Sequence, residues 1–369
     1  MEIPKIPMDI FLYDILPRTS LKTVASSRLL SKRINEATYE RYFMELFHRK
    51  ANIASGLHVL NLKSSKYHTN YFSVDPSSTK LSLRSFLPSN IRIEAATKQG
   101  LLLCTDFSSY PNSKYIICKP TTQQWRAIPN PKTRYLTHKC MMFTIGSNPL
   151  RYKIVRFSSR NFGGDFIKNK SGCYVAIRCE VFDSKLWTWK CLDQTINLPF
   201  REAISYGSMV CVSRFLYALT NNNRLFIFDT ENESWEFYNL DLDDEAYSNT
   251  TVNASYQLLE YEGKLGLLCR LKNDEFDYYS MQLWVIIKKS GTSWSWSLRK
   301  KECLPIISNN ERYSSLINFF NNDLAVIMGF YNIIFYDFMT SASKIEEEIY
   351  TPMIDQTFLV RSDWLPVSL

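Results

Sequence analysis

The chain has 369 residues, of which 45% are hydrophobic and 14% aromatic, which is enough for a packed interior and too apolar for a disordered chain. Its net charge of +8 comes from 44 basic and 36 acidic residues that are mixed along the sequence, and the longest basic block is Arg299-Lys300-Lys301. Such a mixture predicts a solvated surface and argues against nucleic acid as a partner.

The sequence predicts neither a membrane span nor a secretory signal. No segment approaches ~18 consecutive apolar residues, and Asp9 and Asp14 interrupt the only early apolar stretch. The nine cysteines are scattered, mostly in strand-like runs, which favours buried free thiols in a reducing compartment over a disulfide framework. We therefore expect a protein of the cytoplasm or nucleus with no membrane partner. Asn-x-Ser/Thr sequons, which point weakly the other way, occur at Asn169, Asn232, Asn249 and Asn253.

The first 50 residues are predicted to be helical. Pro7 stands where a first helix can begin, Asp9 lies in its favourable first turn, and Pro17 ends it. Thr19 or Ser20 can cap a second helix, and a third amphipathic run follows. The apolar residues of the three segments are Ile10, Phe11, Ile15 and Leu16, then Leu21, Val24, Leu29, Leu30 and Ile34, then Tyr39, Tyr42, Phe43, Leu46 and Phe47. Because so short a segment buries only a small core, part of this apolar surface is expected to contact a partner protein.

The rest of the chain repeats one unit, which is clearest at Arg214–Leu240. Apolar runs interrupted at Asn221-Asn222-Asn223 and at Thr230–Ser234 predict three short antiparallel strands joined by tight turns. The marker of the unit is Asp229 followed six residues later by Trp235. A short turn returns a large ring to the sheet at such a constant offset.

The same marker recurs along the chain. Its other copies are Lys119 to Trp125, Asp183 to Trp189 and Lys288 to Trp294, with weaker ones at Asp75 to Leu81 and Asp337 to Ser343. Successive markers are separated by 44, 64, 46, 59 and 49 residues. Periods of roughly 40 to 50 residues with several strands each are typical of β-propeller blades, and another multi-sheet β fold is the alternative. We expect the four marker tryptophans to lie in equivalent, largely buried places in successive sheets.

The two longest intervals predict loops that leave the sheets, at Ser158–Gly172 and at Asp241–Ser255 with Lys272–Ser280. Aromatic residues among polar loop neighbours are typical of protein-binding surfaces, because a ring offers much contact area for little lost rotamer freedom. The alternative is that these rings fold back on their own blades. The candidate target-binding residues are Arg160, Phe162, Asp165, Phe166, Tyr247, Phe276 and Tyr278.

The sequence predicts no catalytic or metal site. It has four histidines, and the only close pair of soft metal ligands is His138 with Cys140, whereas a site needs three or four ligands. The acidic run Asp241–Glu245 lacks the glycine and distal glutamate of a calcium loop. No Gly-x-Ser-x-Gly, phosphate-cradling glycine-rich loop or dinucleotide fingerprint is present. We therefore expect no cofactor and no enzymatic activity, and a propeller-fold hydrolase, such as a glycosidase, or an oxidase is the main rival.

The run from Ile6 to Phe43 resembles an F-box, whose pattern has Leu-Pro, an acidic residue, an Ile-Leu pair and a later Val-Ser-Lys-x-Trp segment. The matching residues are Pro7, Asp9, Ile15-Leu16, Lys22, Arg28, Leu30-Ser31-Lys32 and Phe43, with Ile34 in place of the tryptophan. The resemblance implies that this segment packs against the helical adaptor of an SCF-type ubiquitin ligase, with Pro7 fixing the entry. The residues that it implies in adaptor binding are Pro7, Ile10, Ile15, Leu16, Leu21, Val24, Leu30 and Ile34.

A second resemblance begins at Gly100–Pro131. This run is similar to the signature that opens the F-box-associated domain of many plant F-box proteins, Gly-Leu-Leu and then Cys-Asn-Pro-Thr-Thr-x-x-Trp-x-x-Leu-Pro, with Lys119 replacing the Asn. Further fragments follow in the order of that family: RYKIVRF, CEVFDSKLWTWK, LPF, LFIFDTENESW and YEGKLGLLC. The two resemblances together cover nearly the whole chain.

These features predict a mostly β fold with a small N-terminal α domain. We expect a three-helix F-box at residues 1–50 and a roughly six-bladed, kelch-like β-propeller domain at residues 51–369. The implied function is that of a non-catalytic substrate receptor of an SCF-type ubiquitin ligase. A Skp-type adaptor would link it to a cullin, and the propeller would hold an unknown target protein near a ubiquitin-conjugating enzyme. A kelch-like scaffold that binds proteins without ubiquitin transfer is a further alternative.

Overall fold

The structure of the chain, a computed structural model, is mostly β. It describes residues 6–19, 21–38, 40, 42–43, 46–47, 56–63, 66–72, 83–97, 100–107, 114–147, 150–161, 164–169, 172–240, 254–261, 263–273, 278–288, 294–305, 315–319, 324–328, 333–337, 342–346 and 354–360. The prediction of a mostly β fold preceded by an N-terminal helix is confirmed. Within these ranges, no helix has the length and apolar character needed to cross a membrane.

One continuous helical stretch replaces the first predicted helix. The α-helix α1 (Met8–Ile10) passes into a π-helical turn (Phe11–Ile15) and then into a 3-10 turn (Leu16–Arg18). Pro7 immediately precedes α1, where a missing N–H has no cost, and Pro17 lies in the final turn. The predicted start and end of this helix are therefore close to those observed.

The second predicted helix is divided into two. The helix α2 (Leu21–Arg28) ends before Leu29-Leu30, which lie in a turn, and α3 (Lys32–Ala37) begins after Ser31. The Ser31 hydroxyl accepts a hydrogen bond from the Ile34 N–H at 3.2 Å and caps α3. The expectation of one apolar helix side through Leu29-Leu30 to Ile34 is therefore wrong, because the cap starts a new helix. In the third predicted segment, Tyr42, Phe43, Leu46 and Phe47 are helical, and Tyr39 lies outside the described residues.

Within the described residues, twenty-five strands follow, together with a 3-10 turn at Leu83–Ser85. They are β1 (Gly56–Lys63), β2 (Lys66–Phe72), β3 (Ile91–Ala96), β4 (Leu102–Asp106), β5 (Lys114–Lys119), β6 (Gln124–Ile128), β7 (Leu136–Ser147), β8 (Leu150–Ser159), β9 (Asp165–Asn169), β10 (Gly172–Asp183), β11 (Thr188–Cys191), β12 (Ile196–Pro199), β13 (Ile204–Val212), β14 (Phe215–Thr220), β15 (Arg224–Asp229), β16 (Ser234–Asn239), β17 (Ala254–Tyr261), β18 (Lys264–Asn273), β19 (Tyr278–Lys288), β20 (Trp294–Pro305), β21 (Ser315–Phe319), β22 (Leu324–Met328), β23 (Ile333–Asp337), β24 (Ala342–Glu346) and β25 (Ile354–Val360). The strands β14, β15 and β16 confirm the three strands predicted for Arg214–Leu240.

The chain forms two compact units, each built from antiparallel sheets. The first unit comprises Met1–Phe162, Ile177–Thr195 and Met353–Leu369, and the second comprises Gly163–Ala176 and Ile196–Pro352. In the first unit the strand orders are β2-β1-β25, β3-β4-β5-β6 and β11-β10-β8-β7. In the second unit the strand orders are β13-β14-β15-β16, β17-β18-β19-β20 and β21-β22-β23-β24. The strands β9 and β12 pair with β10, whose residues 172–176 belong to the second unit and 177–183 to the first.

Inner strands carry continuous apolar runs because their sheets are covered on both faces. In β4, Leu102 belongs to the core shared with the β2-β1-β25 sheet, and the next residue, Leu103, to the core shared with the β11-β10-β8-β7 sheet. In β18, Leu267 packs with the β13–β16 sheet and Leu268 with the β21–β24 sheet. Successive side chains therefore enter opposite cores, which explains why such runs lack polar alternation.

The recurring marker corresponds to one hairpin turn between the last two strands of a sheet. At Asp229 the turn has four residues, and the last of them, Glu233, has a positive φ of 53°. Asp229 then pairs with Ser234, which places Trp235 opposite Phe228. The same register recurs at Lys119 with φ 54° at Gln123, at Asp183 with φ 52° at Trp187, and at Asp337, which pairs with Ala342. The predicted offset therefore reflects backbone geometry that one local turn imposes.

Acidic markers also stabilise the turn through their side chains. Asp229 Oδ1 accepts a hydrogen bond from the Glu231 N–H at 2.9 Å, and Asp183 Oδ1 accepts one from the Lys185 N–H at 2.7 Å. The copy at Lys288 departs from the pattern, because this residue pairs with Trp294 itself. The copy from Asp75 to Leu81 lies outside the described residues.

The marker tryptophans differ in burial although most of them have the same strand register. Trp189 is 1% exposed, Trp125 is 50% exposed, Trp235 is half-buried, and the side chain of Trp294 lies outside the described ones. The expectation that all four are largely buried is therefore wrong for Trp125. This residue lies on the outer strand β6, where Arg126 and Ala127 are exposed as well.

Part of the extra length of the two long intervals forms strand rather than loop. Within Ser158–Gly172, β9 pairs with the beginning of β10, and within Lys272–Ser280 the β18–β19 hairpin extends to the pair of Asn273 with Tyr278. The prediction of loops is therefore wrong at the described residues 165–169, 272–273 and 278–280, whose backbone groups are paired in β-ladders. Residues 241–253 lie outside the described residues.

Candidate functional site

The N-terminal helices enclose an apolar core of their own. Its buried members are Leu12, Leu16, Val24, Ile34, Ala37, Phe43 and Phe47. Three of the predicted adaptor-binding residues, Leu16, Val24 and Ile34, therefore pack inside this segment. Their burial contributes to its folding, because each removes an aliphatic side chain from water.

The remaining adaptor candidates divide into surface residues and one that is not described. Pro7, Ile10, Ile15 and Leu30 are exposed, and Leu30 most of all at 73%. The side chain of Leu21 lies outside the described ones. Seven of the sixteen exposed large apolar side chains of the described residues come from residues 6–42: Ile6, Met8, Ile10, Ile15, Leu29, Leu30 and Tyr42. An exposed apolar surface of this kind is typical of protein-binding sites.

Polar contacts hold the three helical stretches together beneath that surface. The buried Arg28 of α2 donates from Nε to the Thr38 hydroxyl at 2.9 Å, just beyond the end of α3. Arg33 of α3 donates to Asp9 of α1 at 3.1 Å. The second pair is exposed and contributes at most about 1 kcal/mol. These contacts give the exposed apolar residues a defined framework.

In the first unit, Arg160 of the predicted target site contacts Tyr135. Its Nε donates to the Tyr135 hydroxyl at 3.1 Å, and its guanidinium carbon lies 5.5 Å from the ring centroid. The guanidinium carbon of Arg178 lies 5.5 Å from the same ring. Tyr135 is thus within cation–π distance of two arginines. Sequence analysis did not find this cluster, because the three residues come from separate elements.

A buried ion pair anchors the connection that carries Tyr135. Arg156 of β8 contacts Glu180 of β10, and both side chains are almost fully buried. The Glu180 carboxylate also accepts hydrogen bonds from the Thr133 N–H at 3.0 Å and from its hydroxyl at 2.8 Å, and Arg156 donates to the Tyr135 carbonyl. These groups tie the β6–β7 connection to the sheet. Their positions within apolar strands offered no sequence signal of this role.

In the second unit, Phe166 of the predicted target site is exposed and meets Phe200. The ring centroids lie 5.4 Å apart with an interplanar angle of 70°, and the Arg201 guanidinium carbon lies 5.5 Å from the Phe200 ring. Asp165 is half-buried at the start of β9. Sequence analysis selected Asp165 and Phe166 but missed Phe200 and Arg201. These come together because β9 and β12 both pair with β10.

The other target-site candidates cannot be placed by side chain. Phe162, Tyr247 and Phe276 lie outside the described residues, and Tyr278 begins β19 but its side chain is not described. Of the candidates whose side chains are described, Arg160 lies in the first unit and Asp165 and Phe166 lie in the second.

In the described part of the chain, the cysteines and His138, the histidine of the only close soft-ligand pair, lie in strands, and most of these cysteines are buried. The eight described cysteines are thiols, and five of them are buried. His138 hydrogen-bonds to Ser159, while burial raises the pKa of the Cys140 thiol and keeps it protonated. No group of three His, Cys, Asp or Glu side chains that could hold a metal occurs within the described ranges.

Four-stranded antiparallel sheets that recur along a chain, with cores between consecutive sheets, are typical of propeller-type repeat domains. Residues 57–352 match the family of the F-box associated beta propeller domain, so the chain belongs to that family. This confirms the resemblance that was inferred from the sequence motifs.

Relatives of the chain are F-box proteins. The F-box protein At5g41720 of Arabidopsis thaliana is 38% identical over 157 residues, which cover 40% of this chain and 83% of that protein. The putative F-box protein At1g30920 of Arabidopsis thaliana is 22% identical over 315 residues, or 79% of this chain and 72% of that protein. Among solved structures, TolB from Acinetobacter baumannii aligns with 89% of this chain and 73% of its own, at 12% identity and a TM-score of 0.46.

Proposed function

We propose that this chain is the substrate-recognition subunit of an SCF-type ubiquitin ligase. Its N-terminal helices bind a Skp-type adaptor, which connects it to a cullin, and its sheets bind the target protein. The chain supplies no acid, base or nucleophile and acts by holding the target near a ubiquitin-conjugating enzyme. The observation that carries this proposal is the concentration of exposed apolar side chains on a small helical segment with its own core. Membership in a family named for its association with the F-box supports it.

The proposed organisation places an F-box of three helices at residues 1–50 and a propeller of about six blades at residues 51–369. The six sheets in the described residues support this blade count. Each sheet is antiparallel, as propeller blades are. The cytoplasm and nucleus, where ubiquitin ligases of this type act, are the proposed locations.

The adaptor surface consists, in this proposal, of the exposed members of the implied set. Pro7, Ile10, Ile15 and Leu30 contact the adaptor directly, and Leu21 belongs with them by its place at the start of α2. Leu16, Val24 and Ile34 act indirectly, because they hold the helices in the arrangement that the adaptor meets.

The test is co-purification of the full chain with a Skp-type adaptor and a cullin. The double variant Ile10→Asp with Leu30→Asp places two charges in a surface that becomes desolvated on binding, where an unpaired charge costs several kcal/mol, on the order of 3–5. Both side chains are exposed in the unbound chain, so the variant should fold normally. We expect co-purification to be lost. A Leu16→Asp variant is unsuitable because it would disrupt the helical core.

The matched control is the double variant Leu136→Asp with Leu186→Asp, since both leucines are exposed but lie among the strands. It should retain the adaptor at the wild-type yield. Retention of the adaptor by the Ile10→Asp, Leu30→Asp chain, or absence of adaptor from the wild-type complex, would refute the proposed function.

A further inference from the structure

The second unit presents an exposed pair of aromatic rings beside exposed positive charge. Phe166 is 55% exposed and Phe200 53%, although their rings contact each other. The adjoining β9 residues Ile167 and Lys168 are exposed as well. Two rings that meet at 70° present the face of one ring and the edge of the other, and an apolar side chain of a partner can pack against both.

The backbone around this aromatic pair is held in place before any partner binds. The Phe200 N–H donates to the Cys173 carbonyl at 3.2 Å, and the Glu202 N–H donates to the Pro199 carbonyl at 2.9 Å. Arg201 has a positive φ of 72°, and its carbonyl accepts a hydrogen bond from the Asn221 side chain at 2.9 Å. A surface that is already ordered loses little conformational entropy on binding.

Gly164 fixes the other side of the pair, at the entry to β9. Its φ of 114° is a conformation that residues with a side chain rarely adopt, and a Cβ atom there would lie 2.1 Å from Val175 Cγ1. Val175 is the cross-strand partner of Phe166. The close approach at Gly164 therefore brings β9 tightly onto β10 and sets the position of the Phe166 ring.

The exposed charge beside the rings is positive. Glu202 follows Arg201, but its side chain is buried and accepts hydrogen bonds from Arg224 Nε at 2.8 Å and from Nη2 at 2.6 Å. Asp165 precedes Phe166 and, by the two-residue alternation of a strand, lies on the opposite face. Lys168 lies on the same face as Phe166 by the same alternation. Arg201 and Lys168 therefore determine the charge that a partner meets.

The strand β9 is also suited to an extended partner. Among the described strands it pairs with β10 alone, and three of its consecutive residues, Phe166, Ile167 and Lys168, are exposed. A strand with one unpaired edge can receive a peptide as a further strand, and side-chain pockets beside it then give specificity.

We propose that Phe166, Phe200, Arg201 and Lys168 form the docking site for the target protein, and that the site binds an extended segment in which a large apolar residue is flanked by Asp or Glu. The apolar residue packs against the two exposed rings, and the flanking carboxylates pair with Arg201 and Lys168. The assignment of this segment to a ubiquitination target rests on the proposed function, whereas the peptide chemistry rests on the site alone.

The test uses a random dodecapeptide phage library, selected against the purified full chain. We expect enrichment of sequences with Phe, Leu or Trp between acidic residues. Binding of an enriched synthetic peptide, measured by fluorescence anisotropy, should weaken at least about tenfold in Phe166→Ala and in Phe200→Ala, the effect of losing a ring at a binding hot spot. An Arg201→Glu variant should select peptides with Lys or Arg in place of one of the two acidic residues, because Lys168 still pairs with the other.

Trp125→Ala is the matched control, because it also removes a half-exposed ring but from another sheet, and it should bind the peptide like the wild type. No enrichment, enrichment of basic sequences on the wild type, or undiminished binding by Phe166→Ala and Phe200→Ala overturns the inference. Adaptor co-purification is measured on the same samples. Peptide binding without adaptor would refute the ligase role alone, and adaptor without peptide binding would refute the docking site alone.

Discussion

The β5–β6 and β10–β11 hairpins of the first unit share a turn but differ in what covers them. In both, a residue with φ near 50° ends a four-residue turn, and the tryptophan stands opposite the residue before the marker. Trp189 nevertheless donates from its ring N–H to the Pro129 carbonyl at 2.7 Å and packs against Phe182, with ring centroids 5.4 Å apart. Trp125 is half exposed. A hairpin therefore determines which backbone groups pair, and a neighbouring connection determines which side chain is buried.

The largest expected effect comes from removing each ring in turn. Trp189→Ala leaves a cavity in a packed core and should lower the free energy of unfolding by about 3–5 kcal/mol. Trp125→Ala removes a half-exposed ring at the equivalent register and should cost less than about 1 kcal/mol. Chemical denaturation followed by circular dichroism measures both. Equal losses for the two variants would show that the stabilisation by each tryptophan depends on its position in the repeat and not on whether the β6–β7 connection covers it.

A smaller effect is expected from releasing the connection that covers Trp189. Glu180→Gln removes the charge that pairs with buried Arg156 and weakens the hydrogen bonds that Glu180 accepts from Thr133. We expect the free energy of unfolding to fall by about 3 kcal/mol. The matched control is Glu231→Gln, whose ion pair with Arg214 is exposed and should be worth less than about 1 kcal/mol. Thermal unfolding of the two variants compares them. A Glu180→Gln chain as stable as the Glu231→Gln chain would contradict the role given to this pair.

His58 is a further buried ring that can be compared with Trp189. It is 1% exposed in β1, and in contrast to Trp189 neither of its ring nitrogens has a hydrogen-bond partner among the described residues. Burial lowers the pKa of His58 to about 3, below its ordinary value near 6.5. At pH values between these two pKa values the unfolded chain binds a proton at His58 that the folded chain does not, so the free energy of unfolding falls as the pH falls. The loss from this group should reach about 2 kcal/mol at pH 5.

The measurement is the difference in unfolding free energy between pH 7 and pH 5. A His58→Phe variant keeps a ring beside Tyr71 and should lose this part of the acid sensitivity. A His68→Phe variant, which changes a half-buried histidine of β2, should keep it because His58 remains. An unchanged pH dependence in His58→Phe would show that the buried imidazole does not make this contribution.

Turns and registers were predictable because they depend on neighbouring residues. Seven residues, from Asp229 to Trp235, contain the marker, the turn and the tryptophan, so the offset between the two ends carried the register of the whole hairpin. The start of α1 at Pro7 was predictable for the same reason. The division of the second helix at Ser31 was missed because the apolar spacing through Leu29 and Leu30 concealed a local cap.

The candidate site was predictable only in part. Phe166 was found because an aromatic residue stood in a polar stretch of a long interval, but that interval was expected to be a loop. It forms β9 instead, because residues 172–176 of β10 supply its hydrogen-bond partners. Phe200 and Arg201 carried no signal of their own, since their role depends on a ring from another strand.

By itself, the sequence determined the β character of the chain, the positions of the hairpin turns at Lys119, Asp183, Asp229 and Asp337, the helical N-terminal segment and the family to which the chain belongs. Only the tertiary structure decided that Trp189 is buried and Trp125 exposed, that Leu16 packs inside the helical segment while Leu30 is exposed, and that Phe166 meets Phe200. The physical reason is the distance along the sequence over which each interaction acts. A turn is set by hydrogen bonds between residues a few positions apart, whereas burial is set by packing between strands and helices that are distant in the sequence.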